Sequence, residues 1–224
     1  MPVGALLLIL LASLDSFVDD LGAGYLEMIS GPAAGFGASA TGMALLLEPA
    51  GDISGFLGDG PADAAGDACD MLFGYASIGV SSAVWAAGGI AGDDGLELTG
   101  MRCTEALALC YGISGLLKVT TRRERPDGSD RMSFPSFHSA SSAAFAAVAW
   151  SEHGPGAGVP LAALAAFTAL SRIHRGDHHI SDAVAGLAIG AAAGIAAAGS
   201  GGGDGGGVRI GIILTGDGLA PVLR

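Results

Sequence analysis

Long stretches without a charged residue constrain the fold of this chain most strongly. Four of them, each of about 20 residues, lie at 28–47, 71–92, 154–171 and 183–203. They consist mainly of Ala, Gly and Ser, whose small side chains allow helices to pack closely. Their hydropathy makes each of them only a marginal candidate for insertion into a membrane. The sequence therefore predicts an all-α protein and leaves its relation to the membrane open.

The composition excludes two broad classes of protein. Half of the 224 residues are apolar and only 14% are charged, which is not the composition of a disordered tail. The formal charge of −12 argues against a typical nucleic-acid-binding protein, so no nucleic-acid partner is expected. The length suits one domain with short additional ends.

The N-terminus begins with an apolar run. Residues Gly4 to Ala12 read GALLLILLA, which has the length of a signal peptide and is too short to span a bilayer. No Lys or Arg precedes the run. The sequence predicts an export signal or membrane anchor over residues 1–16, and a buried first helix is the alternative.

The C-terminus differs in composition from the rest of the chain. Residues Ser200 to Gly207 read SGGGDGGG, which is typical of a flexible linker. Val208 to Leu214 then predicts a short strand, followed by a turn. The expected organisation is thus a helical domain at 17–199 and a Gly-rich linker with a short tail, in which a strand or hairpin lies, at 200–224.

Capping and helix-breaking residues predict four helices in the second half of the chain. They are expected at Thr104 to Leu117, at about 136–150, at about 159–173, and from a cap at Asp177 to about residue 198. Short connections favour antiparallel neighbours. The end of the first and third helices and the start of the second and fourth would then meet. The sequence predicts an antiparallel helical bundle with its active site at that end.

The positive charge of this acidic chain is concentrated at the same end. Seven of the ten basic residues lie between Lys118 and Arg175, and all five histidines lie between His138 and His179. A cation about 4 Å from an anion contributes roughly 4 kcal/mol at an effective dielectric near 20, whereas remote carboxylates are screened. Solvated loops would spread such charges over several connections, but the other connections are acidic or neutral. The pattern therefore favours an anion-binding site.

Three short motifs occur in order at these helix ends. Lys118 to Pro126 fits Kx6RP, Pro135 to His138 fits PSxH, and Ser171 to Asp182 fits SRx5Hx3D. Each motif alone is weak, and the three in this order are specific. Together they resemble the type 2 phosphatidic acid phosphatase superfamily, which also contains the vanadium haloperoxidases and bacterial acid phosphatases. The resemblance covers a catalytic core at about 104–198.

The spacing of His178 and Asp182 suits a nucleophilic histidine. Residues four apart on one helix share a face, so the carboxylate can hold one ring nitrogen while the other faces the substrate. A position at a helix start would also lower the tendency of His178 to protonate. The resemblance implies that this histidine is phosphorylated and then hydrolysed.

The resemblance implies roles for the remaining site residues. His138 would protonate the leaving oxygen and later activate water. The side chains of Lys118, Arg125, Arg172 and Ser136 and the backbone N–H of Phe137 would bind the phosphoryl oxygens. Phe137 departs from the family pattern, which usually has glycine there. The departure predicts either reduced activity or an apolar wall beside the substrate.

No metal or other cofactor is expected. His174 and His178 have the spacing of some zinc ligands, but Gly176 interrupts the helix and HExxH is absent. Vanadate would be bound only if the protein were a haloperoxidase.

The resemblance and the apolar scaffold predict a metal-independent phosphatase of phosphomonoesters, with a phosphorylated lipid or a small phosphomonoester as substrate. The alternatives are a vanadate-dependent haloperoxidase and a non-catalytic envelope protein. We expect a membrane-associated protein of the cell envelope with an extracytoplasmic site, and an exported soluble protein is the alternative. The positive-inside rule would place the arginine-rich end in the cytoplasm, but a catalytic reason for these cations makes the rule a poor guide here.

Overall fold

The computed structural model describes residues 60–200, the strand residues 210–215 and 218–223, and the isolated residues Gly22 and Gly55. The described part contains six helices, so the all-α prediction is confirmed. The helices are α1 Pro61–Phe73, α2 Ala76–Ala91, α3 Asp94–Thr121, α4 Phe137–His153, α5 Pro155–His174 and α6 Ile180–Ser200. The predicted export signal or anchor at 1–16 lies outside the described residues.

The C-terminal tail contains two strands. β1 (Ile210–Thr215) pairs antiparallel with β2 (Gly218–Leu223), with Ile210 opposite Leu223 and Thr215 opposite Gly218.

Close contact between α4 and α6 forms the centre of the bundle. A Cβ atom on Gly190 would lie 1.8 Å from the carbonyl oxygen of Ala140, and one on Gly194 would lie 2.7 Å from that of Ala144. Nearer the site, a Cβ on Gly186 would lie 2.4 Å from the carbonyl oxygen of Ser136. The two backbones therefore touch along one line of glycines, which the small residues of this segment make possible.

Helix α3 is longer than predicted. It begins at Asp94, and the side chain of Asp93 accepts a hydrogen bond from the Leu96 N–H at 3.0 Å. Thr104, predicted to cap this helix, instead lies buried within it and donates to the Gly100 carbonyl at 2.8 Å. The predicted start was wrong because a threonine hydroxyl can bond one turn back inside a helix as well as cap its start.

The four helix ends meet as predicted. The backbone N–H of Ser136, which caps α4, donates to the carbonyl of Asp182 in the first turn of α6 at 2.9 Å. The segment after α3 reaches the same place, because the Asp127 N–H donates to the carbonyl of Gly176 at 3.1 Å, between α5 and α6. These contacts place the predicted site at one end of an antiparallel bundle.

Two helices of the described part, α5 and α6, are long and apolar enough to cross a membrane. Helices α1 and α2 are bent by 57° and could form a third span if they act as one. A 20-residue helix such as α5 is about 30 Å long, which matches the hydrocarbon core of a bilayer. These features support association of the protein with a membrane.

Candidate active site

The ends of the bundle bring five predicted site residues into one cluster, which we call the cationic cup. It consists of Lys118, Arg125, Arg172 and the imidazole rings of His138 and His178. Asp177 contacts both arginines, with Oδ2 3.0 Å from Arg172 Nη2 and Oδ1 4.0 Å from Arg125 Nη1. Ser133 links Lys118 to His178, because its carbonyl accepts from Lys118 Nζ and its Oγ lies 3.5 Å from His178 Nδ1. Asp70 contacts both Arg172 and His138.

His178 lies just before α6, and its side chain is 2% exposed. The prediction that His178 and Asp182 share one helix was wrong, because α6 begins only at Ile180. The two side chains nevertheless face each other, with Nδ1 of His178 3.8 Å from Oδ2 of Asp182. Nε2 is therefore the nitrogen left for a substrate.

The ring of His178 is neutral near pH 7. Burial lowers its pKa to about 4 against the opposing effect of the nearby Asp182 carboxylate, and the charges of Lys118 and Arg125 act in the same direction as burial. The direction agrees with the sequence prediction, but its cause is mainly burial rather than a helix start. A neutral imidazole has the lone pair that a nucleophile needs.

Asp182 is completely buried and is held by three donors. The Ser133 hydroxyl and the His179 N–H donate to Oδ2, the latter at 2.9 Å, and Arg123 Nη1 donates to Oδ1 at 2.7 Å. Bonds of this kind to an ionised group are among the stronger hydrogen bonds in proteins. Sequence reasoning did not place Ser133 or Arg123 in the site, because neither belongs to a motif position.

Lys118 lies in the last turn of α3 and is 5% exposed. Its Nζ donates to the carbonyls of Met132 and Ser133 and lies 4.7 Å from the centroid of the Phe137 ring. Burial lowers the pKa of Lys118 to about 8, and the positive charge of Arg125 acts in the same direction. The ammonium group is thus fixed in place but loses its proton unusually easily.

Carboxylates orient the two arginines of the cup. Arg125 Nε donates to Asp130 Oδ1 at 2.8 Å, and Arg172 Nη2 lies 3.0 Å from Asp177 Oδ2. Asp177 therefore pairs with Arg172, and its predicted role as a helix cap was wrong. The Nε atom of Arg172 is buried and has no hydrogen-bond partner, so this donor can serve an anion.

His138 lies in the first turn of α4 and is half-buried. Burial, together with the charges of Arg172 and Arg125, lowers its pKa to about 4. Its Nε2 atom lies 4.0 Å from Oδ1 of Asp70 on α1. Asp70 was missed, since nothing in the sequence distinguishes it from the other acidic residues before the motifs.

Ser136 and Phe137 begin α4, as the Pro-Ser pair predicted. Ser136 is completely buried, and its Oγ accepts from Ser139 N at 3.5 Å as the cap of the helix. The Phe137 ring packs edge-on against Tyr75 and Tyr111, with centroid distances of 5.5 and 5.3 Å. We call these three rings the aromatic wall. The backbone N–H of Phe137 belongs to the first helical residue, whose N–H has no acceptor within the helix.

Within residues 60–200, no group of three His, Cys, Asp or Glu side chains is placed to hold a metal ion. His174, one of the two histidines with zinc-like spacing, instead has its Nε2 3.7 Å from Asp63 Oδ1.

The comparison with known families agrees with this geometry. Residues 99–200 match the family model of the PAP2 superfamily. This range contains every site residue that the sequence predicted. Over these residues the match confirms the resemblance drawn from the three motifs.

Among solved structures, the chain is similar to a transmembrane PAP2-type phosphatidylglycerolphosphate phosphatase from Bacillus subtilis. The sequence identity is 20% and the TM-score 0.39, with 73% of this chain and 94% of that chain covered. No curated protein matches the chain.

Proposed function

We propose that the protein is a metal-independent phosphatase that hydrolyses phosphomonoesters through a phosphohistidine at His178. The observation that carries the proposal is a buried, neutral imidazole beside Lys118, Arg125 and Arg172, with one ring nitrogen directed to Asp182. A phosphoryl group bound by the three cations would meet the other nitrogen. Nothing in this arrangement requires a metal ion to bind the phosphate or to supply the nucleophile.

In the first step, Nε2 of His178 attacks phosphorus and the bond to the leaving oxygen breaks. His138 donates a proton to that oxygen, so that the product leaves as an alcohol. Asp182 stabilises the positive charge that develops on the His178 ring. The cations of the cup neutralise the phosphoryl oxygens as the transition state forms.

In the second step, water attacks the phosphohistidine. His138, now neutral, takes a proton from this water, and the bond between phosphorus and Nε2 breaks. Inorganic phosphate leaves, and both histidines return to their starting protonation states. The same group thus acts first as an acid and then as a base.

Lipid phosphates are the substrates that the surroundings of the cup favour. Tyr75 of the aromatic wall is 72% exposed, and Met71 on α1 is 80% exposed. Leu116 and Val119 on the last turns of α3 are also exposed. Exposed apolar side chains around a phosphate site fit a substrate that carries a hydrocarbon chain. A small soluble phosphomonoester is the alternative.

The central experiment traps the intermediate. Purified protein in detergent is mixed with a 32P-labelled phosphomonoester in the presence of a chelator and then denatured. We expect turnover that resists the chelator, and acid-labile, alkali-stable label on His178. His178→Ala should abolish both turnover and label. His153→Ala, at the exposed far end of α4, is the matched control and should change neither.

Three results would contradict the proposal. Loss of turnover with the chelator would argue against a metal-independent reaction, and turnover without label on His178 would argue against a phosphohistidine. Oxidation of bromide by peroxide in the presence of vanadate, without phosphatase activity, would favour the haloperoxidase alternative.

A substrate panel and a topology assay test the finer parts of the proposal. Phosphatidate and polyprenyl phosphate should be hydrolysed with higher kcat/KM than small soluble phosphates.

We also propose that the cup faces away from the cytoplasm. Intact cells should then hydrolyse a membrane-impermeant phosphomonoester in a His178-dependent manner, and activity seen only after lysis would contradict this placement.

A further inference from the structure

We propose that Asp70 is the positioning residue of His138, and that its carboxylate orients the ring and supports the protonated form that donates to the leaving oxygen. The inference rests on the proposed phosphatase function. It assigns a part in catalysis to helix α1, which lies before the matched family region at 99–200.

The contacts of Asp70 leave one of its oxygens unused. Oδ2 accepts from Arg172, and it also accepts from Arg175 Nη1 at 3.2 Å. Oδ1 is buried, has no hydrogen-bond partner, and lies 4.0 Å from Nε2 of His138. A buried acceptor without a partner is costly, and an approach of about 1 Å would turn this contact into a hydrogen bond.

The charges around His138 show why such a carboxylate is needed. Burial acts most strongly against a proton on this ring. The charges of Arg172 on α5, Arg125 in the loop after α3 and Lys118 on α3 act in the same direction. A general acid must nevertheless carry a proton when substrate is bound. The backbone carbonyl of Asp70 acts in favour of the protonated ring. The carboxylate of the same residue, with Oδ1 4.0 Å from Nε2, would add to this effect, as would the bound phosphate.

The orientation of the ring follows from the same contact. With Nε2 directed towards Asp70, Nδ1 is left for the substrate. Nδ1 would donate its proton to the leaving oxygen and later take one from the attacking water. Asp70 would thus orient the general acid His138 in the same way as Asp182 orients the nucleophile His178.

The test compares two leaving groups. A nitrophenyl phosphate expels a stable anion and needs little help from an acid, whereas an alkyl phosphate needs a proton on the leaving oxygen. For Asp70→Asn we expect kcat/KM on the alkyl phosphate to fall about 10- to 100-fold, within the range of general acid catalysis, and kcat/KM on the nitrophenyl phosphate to fall less than about threefold. His138→Ala should show the same asymmetry in a stronger form.

The controls separate positioning from structure. Asp67 lies on the same helix, is exposed, and pairs with Arg175 at 2.9 Å, so Asp67→Asn should leave both substrates unaffected. Asp70→Glu keeps the carboxylate and should keep the wild-type ratio between the two substrates even if both rates fall. Because each variant is compared with itself on two substrates, a partial loss of folded protein cancels in the ratio.

Two results would overturn the inference while leaving the phosphatase function intact. An equal loss on both substrates would mean that Asp70 serves only Arg172 or the fold. A gain in activity for Asp70→Asn would mean that the carboxylate competes with phosphate for the arginines. Failure of the wild-type protein to hydrolyse either substrate would overturn the proposed function as well.

Discussion

Lys118 should limit the activity of this protein in alkali. Its buried ammonium has a pKa of about 8, against 10.5 for an ordinary lysine. Above pH 8 the protonated fraction falls about tenfold for each pH unit, to roughly a tenth at pH 9 and a hundredth at pH 10. If this cation binds the phosphoryl group, kcat/KM should fall in the same proportion, because the pH dependence of kcat/KM reports the pKa values of the free enzyme.

The assay measures kcat/KM for a nitrophenyl phosphate between pH 7 and pH 10. The second ionisation of a phosphomonoester lies near pH 6, so the substrate keeps one charge state over this range. Lys118→Arg keeps its charge throughout, since a guanidinium does not lose its proton in proteins. The ratio of wild type to Lys118→Arg should therefore fall about tenfold per pH unit above pH 8.

A neutral variant supplies the control. Lys118→Gln carries no charge at any pH, so it should have low activity already at pH 7 and no further alkaline loss due to this position. The reasoning is refuted if wild-type kcat/KM stays constant to pH 10. It is equally refuted if Lys118→Arg declines in parallel with the wild type.

Three further predictions concern stability. The pKa of His178 is about 4 in the folded protein and 6.5 ordinarily, so below pH 6.5 the unfolded chain takes up a proton that the folded protein does not. The free energy of unfolding should therefore fall by up to about 3 kcal/mol as the pH is lowered from 6.5 towards 4. His178→Gln should remove this loss in denaturant titrations, and a parallel decline of both proteins would contradict the burial argument. Ser133→Ala removes a donor to the buried carboxylate of Asp182 and should cost about 1.5–3 kcal/mol, whereas a change below about 0.5 kcal/mol would show that the bond contributes little. Gly190→Ala should lower the free energy of unfolding by about 1–3 kcal/mol through overpacking. Gly79→Ala is the control, because Gly79 has open space around it, and this variant should be neutral or slightly stabilised. Equal effects of the two substitutions in thermal unfolding would argue against close contact of α4 and α6.

The sequence predicted the meeting of the four helix ends because local signals mark those ends. Ser136 caps α4, Gly176 has the positive φ of a helix terminus, and Lys118 lies in the last turn of α3. Antiparallel packing of neighbouring helices then follows from short connections. Helix-end signals and short connections together therefore predicted which residues the structure brings together.

The parts that could not be predicted depend on contacts between distant segments. Asp70 lies about a hundred residues before Arg172, and no periodicity indicates that α1 reaches the cup. Gly100 illustrates the same limit. In the sequence it resembles a helix breaker, but within α3 it marks close contact with α2, since a Cβ there would lie 2.3 Å from the backbone nitrogen of Trp85.

The absence of a side chain at Gly186 helps to determine the width of the cationic cup. It lies where the start of α4 contacts the first turns of α6, and a Cβ there would lie 2.4 Å from the carbonyl oxygen of Ser136. The width of the cup is therefore determined where two backbones touch, and not by the shapes of interlocking side chains. Exchange of large exposed residues such as Met71 would leave that width unchanged. A single methyl group at Gly186 would push the start of α4, which carries His138, away from α6, so we expect Gly186→Ala to impair the proposed reaction.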